Sequence, residues 1–305
     1  MSGAFAVSSS MHETSIQAQH AYAVQQLQQA GFGADEAVRE ARLLLEIATG
    51  MERTQQLMQP DRVLSEVQIA AFDALVARRA ESEPMAYLSG EKEFYGRAFA
   101  TSPATLIPRP DSEALVEAAL ALLPQDFAGR MLDLGTGTGC LLLTLLAERA
   151  QMQGIGVDKT MEATALAMHN ADRLGLAAKS EFYTGSWFDA LPETLAAFDL
   201  IISNPPYIST AEMGALMPDV RDYEPASALH GGEDGLDEYR RIVAQAEDWL
   251  TPGGMLVFEV GYQQAADVAA LGQAQGLLHR RTVNDMAGHA RVVVLQRSGG
   301  HAVFE

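Results

Sequence analysis

Through the first ninety residues apolar side chains recur every three to four positions; beyond them the pattern becomes short apolar runs separated by amphipathic stretches. The first part therefore reads as a small helical bundle and the rest as alternating strands and helices. Between positions 34 and 50 the apolar stripe is Val38, Ala41, Leu44, Leu45 and Ala48, and Gly50 after it suits a helix C-cap. Ser65-Glu66-Val67-Gln68 has the form of a capping box, in which Ser and Gln side chains satisfy each other's free backbone donors. It opens a helix with Ile69, Phe72, Leu75 and Val76 on one face, which Pro84 closes. Short strand-like stretches around Gly96-Arg97 predict a hairpin running through Thr101. From Arg130 onward, strands are expected at Met131-Leu132, Gly154 to Val157, Glu181 to Tyr183, Phe198 to Ser203 and Met255 to Val260. Helices over 141–149, 161–174 and 235–250 fall between them. This alternation implies an α/β fold with a mostly parallel, doubly wound sheet that takes ligands at the carboxyl ends of its strands.

Composition narrows the function. A chain of 305 residues, 48% hydrophobic and 20% charged, has room for two cores. A single cysteine, Cys140, excludes an intrachain disulfide and a cysteine-built zinc site, and the seven histidines show no ligand spacing, so no metal is expected. No stretch approaches the ~20 apolar residues of a membrane span, and the N-terminal segment lacks the basic start of a signal peptide. Residues 1–15 are read as a disordered tail, with Met11 a second candidate start, and the chain as a cytoplasmic monomer. Net charge is −19, and the only lysines are Lys92, Lys159 and Lys179, which argues against direct action on nucleic acid and suits a basic protein partner.

The chemistry concentrates in two places. Asp133-Leu134-Gly135-Thr136-Gly137-Thr138-Gly139 stands where the first strand turns into a helix, and Asp158 ends the next strand, placed to accept from a ribose diol. A dinucleotide fingerprint requires Gly-x-Gly-x-x-Gly; here the glycines alternate strictly, which suits a ligand without a pyrophosphate, such as S-adenosylmethionine. Trp187 reads either as a platform beside adenine or as a core residue, and Cys140 as packing.

The second place is Asn204-Pro205-Pro206-Tyr207, directly after an apolar strand. Consecutive prolines hold the backbone extended. The Asn204 side-chain oxygen and the Pro205 carbonyl then form a two-acceptor grip for an NH2 group whose delocalised lone pair must be freed before it attacks, and Tyr207 would cover its plane. In Ile107-Pro108-Arg109-Pro110-Asp111-Ser112, the bracketing prolines fix the direction of Arg109, either as a linker residue paired with a carboxylate or as part of the site, and Asp111 or Ser112 is placed to cap a helix. Glu224 lies in a loop able to close over a substrate.

With these motifs in hand, the chain resembles the release factor glutamine methyltransferases from about Ala34 to Arg297. The resemblance rests on Ile107 to Asp111, Asp133 to Gly139, Asp158, Trp187, Asn204 to Tyr207 and Tyr223-Glu224-Pro225. It implies a seven-stranded, Rossmann-like S-adenosylmethionine-dependent methyltransferase domain (109–297) behind a helical substrate-interaction domain (16–92) and a hairpin linker (93–108), with a tail at 298–305. It implies that Gly135, Thr136, Gly137, Thr138, Gly139, Asp158, Trp187 and Asn204 hold the cofactor, and that Asn204, Pro205, Pro206 and Tyr207 form the glutamine pocket, with Asn204, Pro205 and Tyr207 catalytic. The implied reaction is methyl transfer to the glutamine of the Gly-Gly-Gln motif of class 1 peptide chain release factors. A glutamine methyltransferase of a ribosomal protein is the nearest alternative, ahead of a DNA adenine methyltransferase or an idle cofactor-binding protein. Ser186 departs from the pattern, because an acidic acceptor for the adenine amine is expected just before the tryptophan.

Overall fold

The computed structural model describes residues 14–299, and these divide into two compact units between Ser89 and Gly90. The expected tails lie largely outside the described residues, but Ser15 caps a helix: its hydroxyl accepts from the Ala18 amide at 3.2 Å.

In the first unit the helices Ile16–Gln29, Ala34–Thr49 and Glu66–Ala80 bury a shared core of Leu27, Ala41, Leu44, Leu45, Phe72 and Val76. Gly50 takes the left-handed C-cap conformation, and the Ser65–Gln68 capping box is present in both directions. Val38 is the exception: at 43% exposed it sits on the outer face, and Ala37 takes the inward position.

The second unit begins with the hairpin β1 (Glu91–Phe94) and β2 (Arg97–Ala100). The seven-stranded sheet that follows comprises β3 (Arg130–Leu134), β4 (Gln153–Asp158), β5 (Ser180–Thr184), β6 (Phe198–Ser203), β7 (Leu250–Glu259), β8 (Leu278–Asn284) and β9 (Ala290–Gln296), in the order β5-β4-β3-β6-β7-β9-β8. The first five run parallel; β9 is antiparallel to both β7 and β8. That last hairpin was not resolved by the sequence pattern, because β8 is an edge strand whose Leu-His-Arg-Arg-Thr-Val-Asn shows little apolar alternation.

Both faces of the sheet are covered, which explains the continuous apolar strands. Met131, Leu200, Ile202, Met255 and Val257 pack on one side with the helices Glu113–Leu120 and Cys140–Glu148. Leu132, Leu134, Ile201, Leu256 and Phe258 pack on the other with Asp237–Trp249 and Ala265–Ala274. The chain leaves β3 toward β4 and β5 on one side and returns to β6 on the other, so the strand order reverses between β3 and β6. A crevice is expected at that reversal, outside the carboxyl ends of the two strands.

Candidate active site

The two sequence motifs meet at this reversal because β3 and β6 end in register. Leu134 pairs with Ser203, and the Ser203 hydroxyl donates to the Leu134 carbonyl at 2.7 Å. Gly135 and Asn204, 69 positions apart, therefore leave the sheet side by side.

The glycine loop is shaped by its own backbone. Gly137 and Gly139 have φ of 54° and 81°, a region that side chains disfavour. The Gly137 amide donates to Asp158 Oδ2 at 2.9 Å, and Asp158 Oδ1 accepts from the Thr160 amide at 3.3 Å, so the carboxylate at the end of β4 is held from two directions. Burial raises its pKa, with these backbone donors working the other way. At the far end of the loop the Asn170 side chain donates to the Thr138 carbonyl at 2.9 Å and exchanges hydrogen bonds with both backbone groups of Ala100, tying loop to hairpin.

One cleft gathers Gly135, Thr136, Gly137, Thr138, Asp158, Trp187, Asn204 and Pro206. Trp187 has a left-handed backbone, its ring edge faces Gly135, and its indole N–H donates to Glu238 Oε2 at 2.8 Å. Ser186 lines the same cleft and is exposed. Three expected residues do not line it. The Cβ direction of Gly139 points into Leu143 and Ala167; Pro205 is buried; Tyr207 packs beside the second-face core and against Gly261. Burial pushes the Tyr207 hydroxyl up to about 12, with nearby Glu259 adding to it, so it stays protonated. Cys140 lines the cleft half-buried, and burial likewise pushes its thiol up to about 12, which keeps it protonated.

Asn204 Nδ2 donates to the Ser112 hydroxyl at 3.3 Å. Ser112 occupies the N-cap position of the helix Glu113–Leu120 but makes no side-chain cap bond; its hydroxyl serves Asn204 instead. Neither Asn204 Oδ1 nor the Pro205 carbonyl accepts a hydrogen bond from another described residue. Arg109 does both things proposed for it: it lines the cleft and pairs with Glu224, whose other oxygen accepts from the Ile107 amide at 3.0 Å. Glu224 is only 5% exposed, so it clasps two loops rather than standing in solvent.

The segment holding Pro206 and Tyr207 is braced by residues outside both sequence motifs. Gln264 donates to the Tyr207 carbonyl at 2.9 Å, and a Cβ on Gly235 would stand 2.3 Å from that same oxygen. The cluster Gly231-Gly232 with Gly235 was the available signal, since close backbone approach requires glycine. Glu238 and Asn170 carried no signal, as each works only through a distant partner. Among the described residues no cluster of His, Cys, Asp and Glu is placed to hold a metal ion, and no helix is long and apolar enough to cross a membrane.

The PrmC N-terminal domain family matches residues 20–90, and a methyltransferase domain family matches residues 126–287. A release factor glutamine methyltransferase of Cereibacter sphaeroides is 45% identical over 264 residues, covering 87% of this chain and 92% of the relative. That of Caulobacter vibrioides is 41% identical over 262 residues, covering 86% and 90%. The chain belongs to the release factor glutamine methyltransferase family. A crystal structure of a methyltransferase from Pyrococcus furiosus shares the fold, with a TM-score of 0.53 at 18% identity over 73% of this chain and 99% of that one.

As a member of the release factor glutamine methyltransferase family, the protein is an S-adenosylmethionine-dependent protein-glutamine methyltransferase. The cleft fits that cofactor on its own terms. It offers a glycine loop open to close approach, a fixed carboxylate with lone pairs left for a diol, and an aromatic edge.

Proposed function

We propose that this enzyme methylates the side-chain amide nitrogen of the glutamine in the Gly-Gly-Gln motif of class 1 peptide chain release factors. The observation that carries the reading is Asn204 at the end of β6: it lines the glycine-loop cleft and its Oδ1 is a free acceptor, with the equally unpaired carbonyl of the buried Pro205 next in the chain. On this reading Asp158, Trp187 and the loop from Gly135 to Thr138 hold S-adenosylmethionine, which supplies a methyl group already activated on a sulfonium.

An amide nitrogen is a poor nucleophile because its lone pair is delocalised into the carbonyl. Two acceptors that take its two hydrogens favour the pyramidal nitrogen that develops as the N–C bond forms and the S–C bond breaks. The stiff Asn-Pro-Pro backbone, braced by Gln264 and Gly235, holds the acceptors in place before the substrate arrives. The methylated nitrogen, positively charged once the methyl has moved, gives up its extra proton to solvent, and the cofactor leaves as a neutral thioether. A net charge of −19 suits a protein substrate whose glutamine loop is built to meet RNA and so sits on a basic surface. The relatives' names supply the substrate class, and the four-residue motif supplies the amide chemistry.

The test is transfer from labelled cofactor to a class 1 release factor and to its Gln-to-Ala variant in the Gly-Gly-Gln loop, with a ribosomal protein and naked DNA in parallel. Only the intact factor should be labelled, and Asn204→Ala should lower the rate at least ~10²-fold, as for loss of one preorganised transition-state contact. Equal labelling of the Gln-to-Ala factor, or efficient labelling of DNA, sinks the assignment.

A further inference from the structure

Behind Asn204 lies a carboxylate that the mechanism above does not use. Glu259 ends β7, the strand next to β6, and is 2% exposed. Its Oε2 meets no donor at hydrogen-bond distance among the described residues; Ser203 pairs with Phe258 across β6 and β7, so Glu259 and Asn204 follow side by side, and Ser112 and Asn204 both act to lower the pKa of the carboxyl. Its backbone is pinned separately, the Tyr239 hydroxyl donating to the Glu259 carbonyl at 2.8 Å, so the side chain does not serve to hold the strand end.

A terminal amide has two orientations of similar shape and opposite hydrogen-bonding sense. Asn204 works in the proposed reaction only with its oxygen toward the substrate NH2; turned over, it would oppose one NH2 with another. What sets the orientation must therefore lie on the inner side. An ionised carboxylate only accepts, so it demands the NH2 end of Asn204 and the proton of Ser112, and the Asn204 Nδ2 to Ser112 contact has that sense.

We propose that Glu259 is the positioning residue of this site: its ionised carboxylate, acting directly and through Ser112, holds the Asn204 carboxamide with its oxygen facing the cleft. The inference rests on the amide-gripping role given to Asn204 above. Once protonated, Glu259 gains a donor, the demand disappears, and the turned-over amide becomes accessible. Burial lifts the Glu259 carboxyl to about 7, with Ser112 and Arg291 opposing and Asp111 reinforcing the shift. The other ionisable groups around it do not reverse this. Tyr207 and Tyr239 have raised pKa values and stay neutral, and Arg291, in β9, stays cationic and pairs with Asp111 at 3.2 Å and Asp285 at 3.3 Å.

Two measurements on the full-length protein test the proposal. The first is the side-chain amide resonance of Asn204 in protein labelled with 15N-asparagine, which contains only Asn170, Asn204 and Asn284. The Asn204 signal should titrate with a midpoint near 7 in the wild type and be flat in Glu259→Gln. The second is kcat against pH for release factor methylation. An ascending limb with the same midpoint should vanish in Glu259→Gln, with kcat at high pH reduced roughly tenfold, short of the loss expected for a direct contact, and cofactor affinity unchanged. Should Glu259→Gln fail to fold, Ser112→Ala decides: removing a donor to the carboxylate should move the limb to higher pH.

A flat Asn204 signal in the wild type overturns the proposal, as does an ascending limb that persists in Glu259→Gln or stays in place in Ser112→Ala. If the signal titrates as expected but no release factor is methylated, the substrate reading fails and the positioning role stands.

Discussion

Asp133 offers the sharpest test of the electrostatics around the glycine loop. It lies in β3, fully buried, with one oxygen accepting from the Thr136 hydroxyl at 2.7 Å. The other, Oδ1, meets no donor at hydrogen-bond distance among the described residues, the Leu142 amide easing its charge only from further off. Burial raises its pKa from 3.8 to about 7; the Thr136 hydroxyl opposes the shift and nearby Asp158 adds to it. The folded protein thus holds a proton that the unfolded chain has released, so this group's stabilising contribution is present at low pH and is lost as pH rises through about 7. A rise from 3.8 to about 7 corresponds to roughly 4 kcal/mol over the whole window. Asp133→Asn stays neutral throughout and keeps a polar partner for Thr136. Its stability gain over the wild type should therefore be larger at pH 8 than at pH 5 by roughly 2 to 3 kcal/mol. Urea unfolding followed by tryptophan fluorescence is the assay. Trp187 and Trp249 are the only tryptophans and both lie in the second unit, so the signal reports that unit alone. Comparing variant with wild type at each pH cancels the other titrating groups. A gain no larger at pH 8 than at pH 5 refutes the reasoning.

Three further outcomes are expected. Asp158→Ala should weaken S-adenosylmethionine binding by roughly 1.5 to 3 kcal/mol for each hydrogen bond lost to a charged acceptor; calorimetry returning an unchanged Kd would place the ribose elsewhere. Ser186→Asp should tighten the same binding by adding charge to an acceptor for the adenine amine, and equal affinity would remove Ser186 from that contact. Gly235→Ala should lower both turnover and thermal stability, because φ is +76° and the new Cβ would meet the Tyr207 carbonyl at 2.3 Å, whereas Gly214→Ala, with open space around it, serves as the control. A Gly235→Ala enzyme as active as the control would show that the bracing of Tyr207 is dispensable.

Much of this was legible along the chain because it depends on neighbours in sequence. The capping box at Ser65, the C-cap at Gly50, the apolar strands and the two motifs at Asp133–Gly139 and Asn204–Tyr207 are local patterns set by backbone sterics and by burial on both sheet faces. Where local pattern was the whole guide it also erred. Val38 matched the helical stripe but fell on the outer face, since a stripe gives a spacing and packing chooses its edge. The edge strand β8 showed no alternation because little of it is buried.

The sequence alone therefore determined that there would be a glycine loop at a strand-to-helix turn, an acid one strand later and a rigid two-acceptor platform after another apolar strand. The tertiary structure decided that these face one another. The reversal of strand order between β3 and β6 sets Leu134 beside Ser203 and brings the loop to Asn204. It also decided which polar groups act through distant partners: Glu224 on Arg109, Asn170 on the loop, Glu238 on Trp187, and Glu259 behind Asn204. Backbone conformation is a property of a few consecutive residues, whereas the charge state and orientation of a buried side chain depend on whatever the fold packs against it.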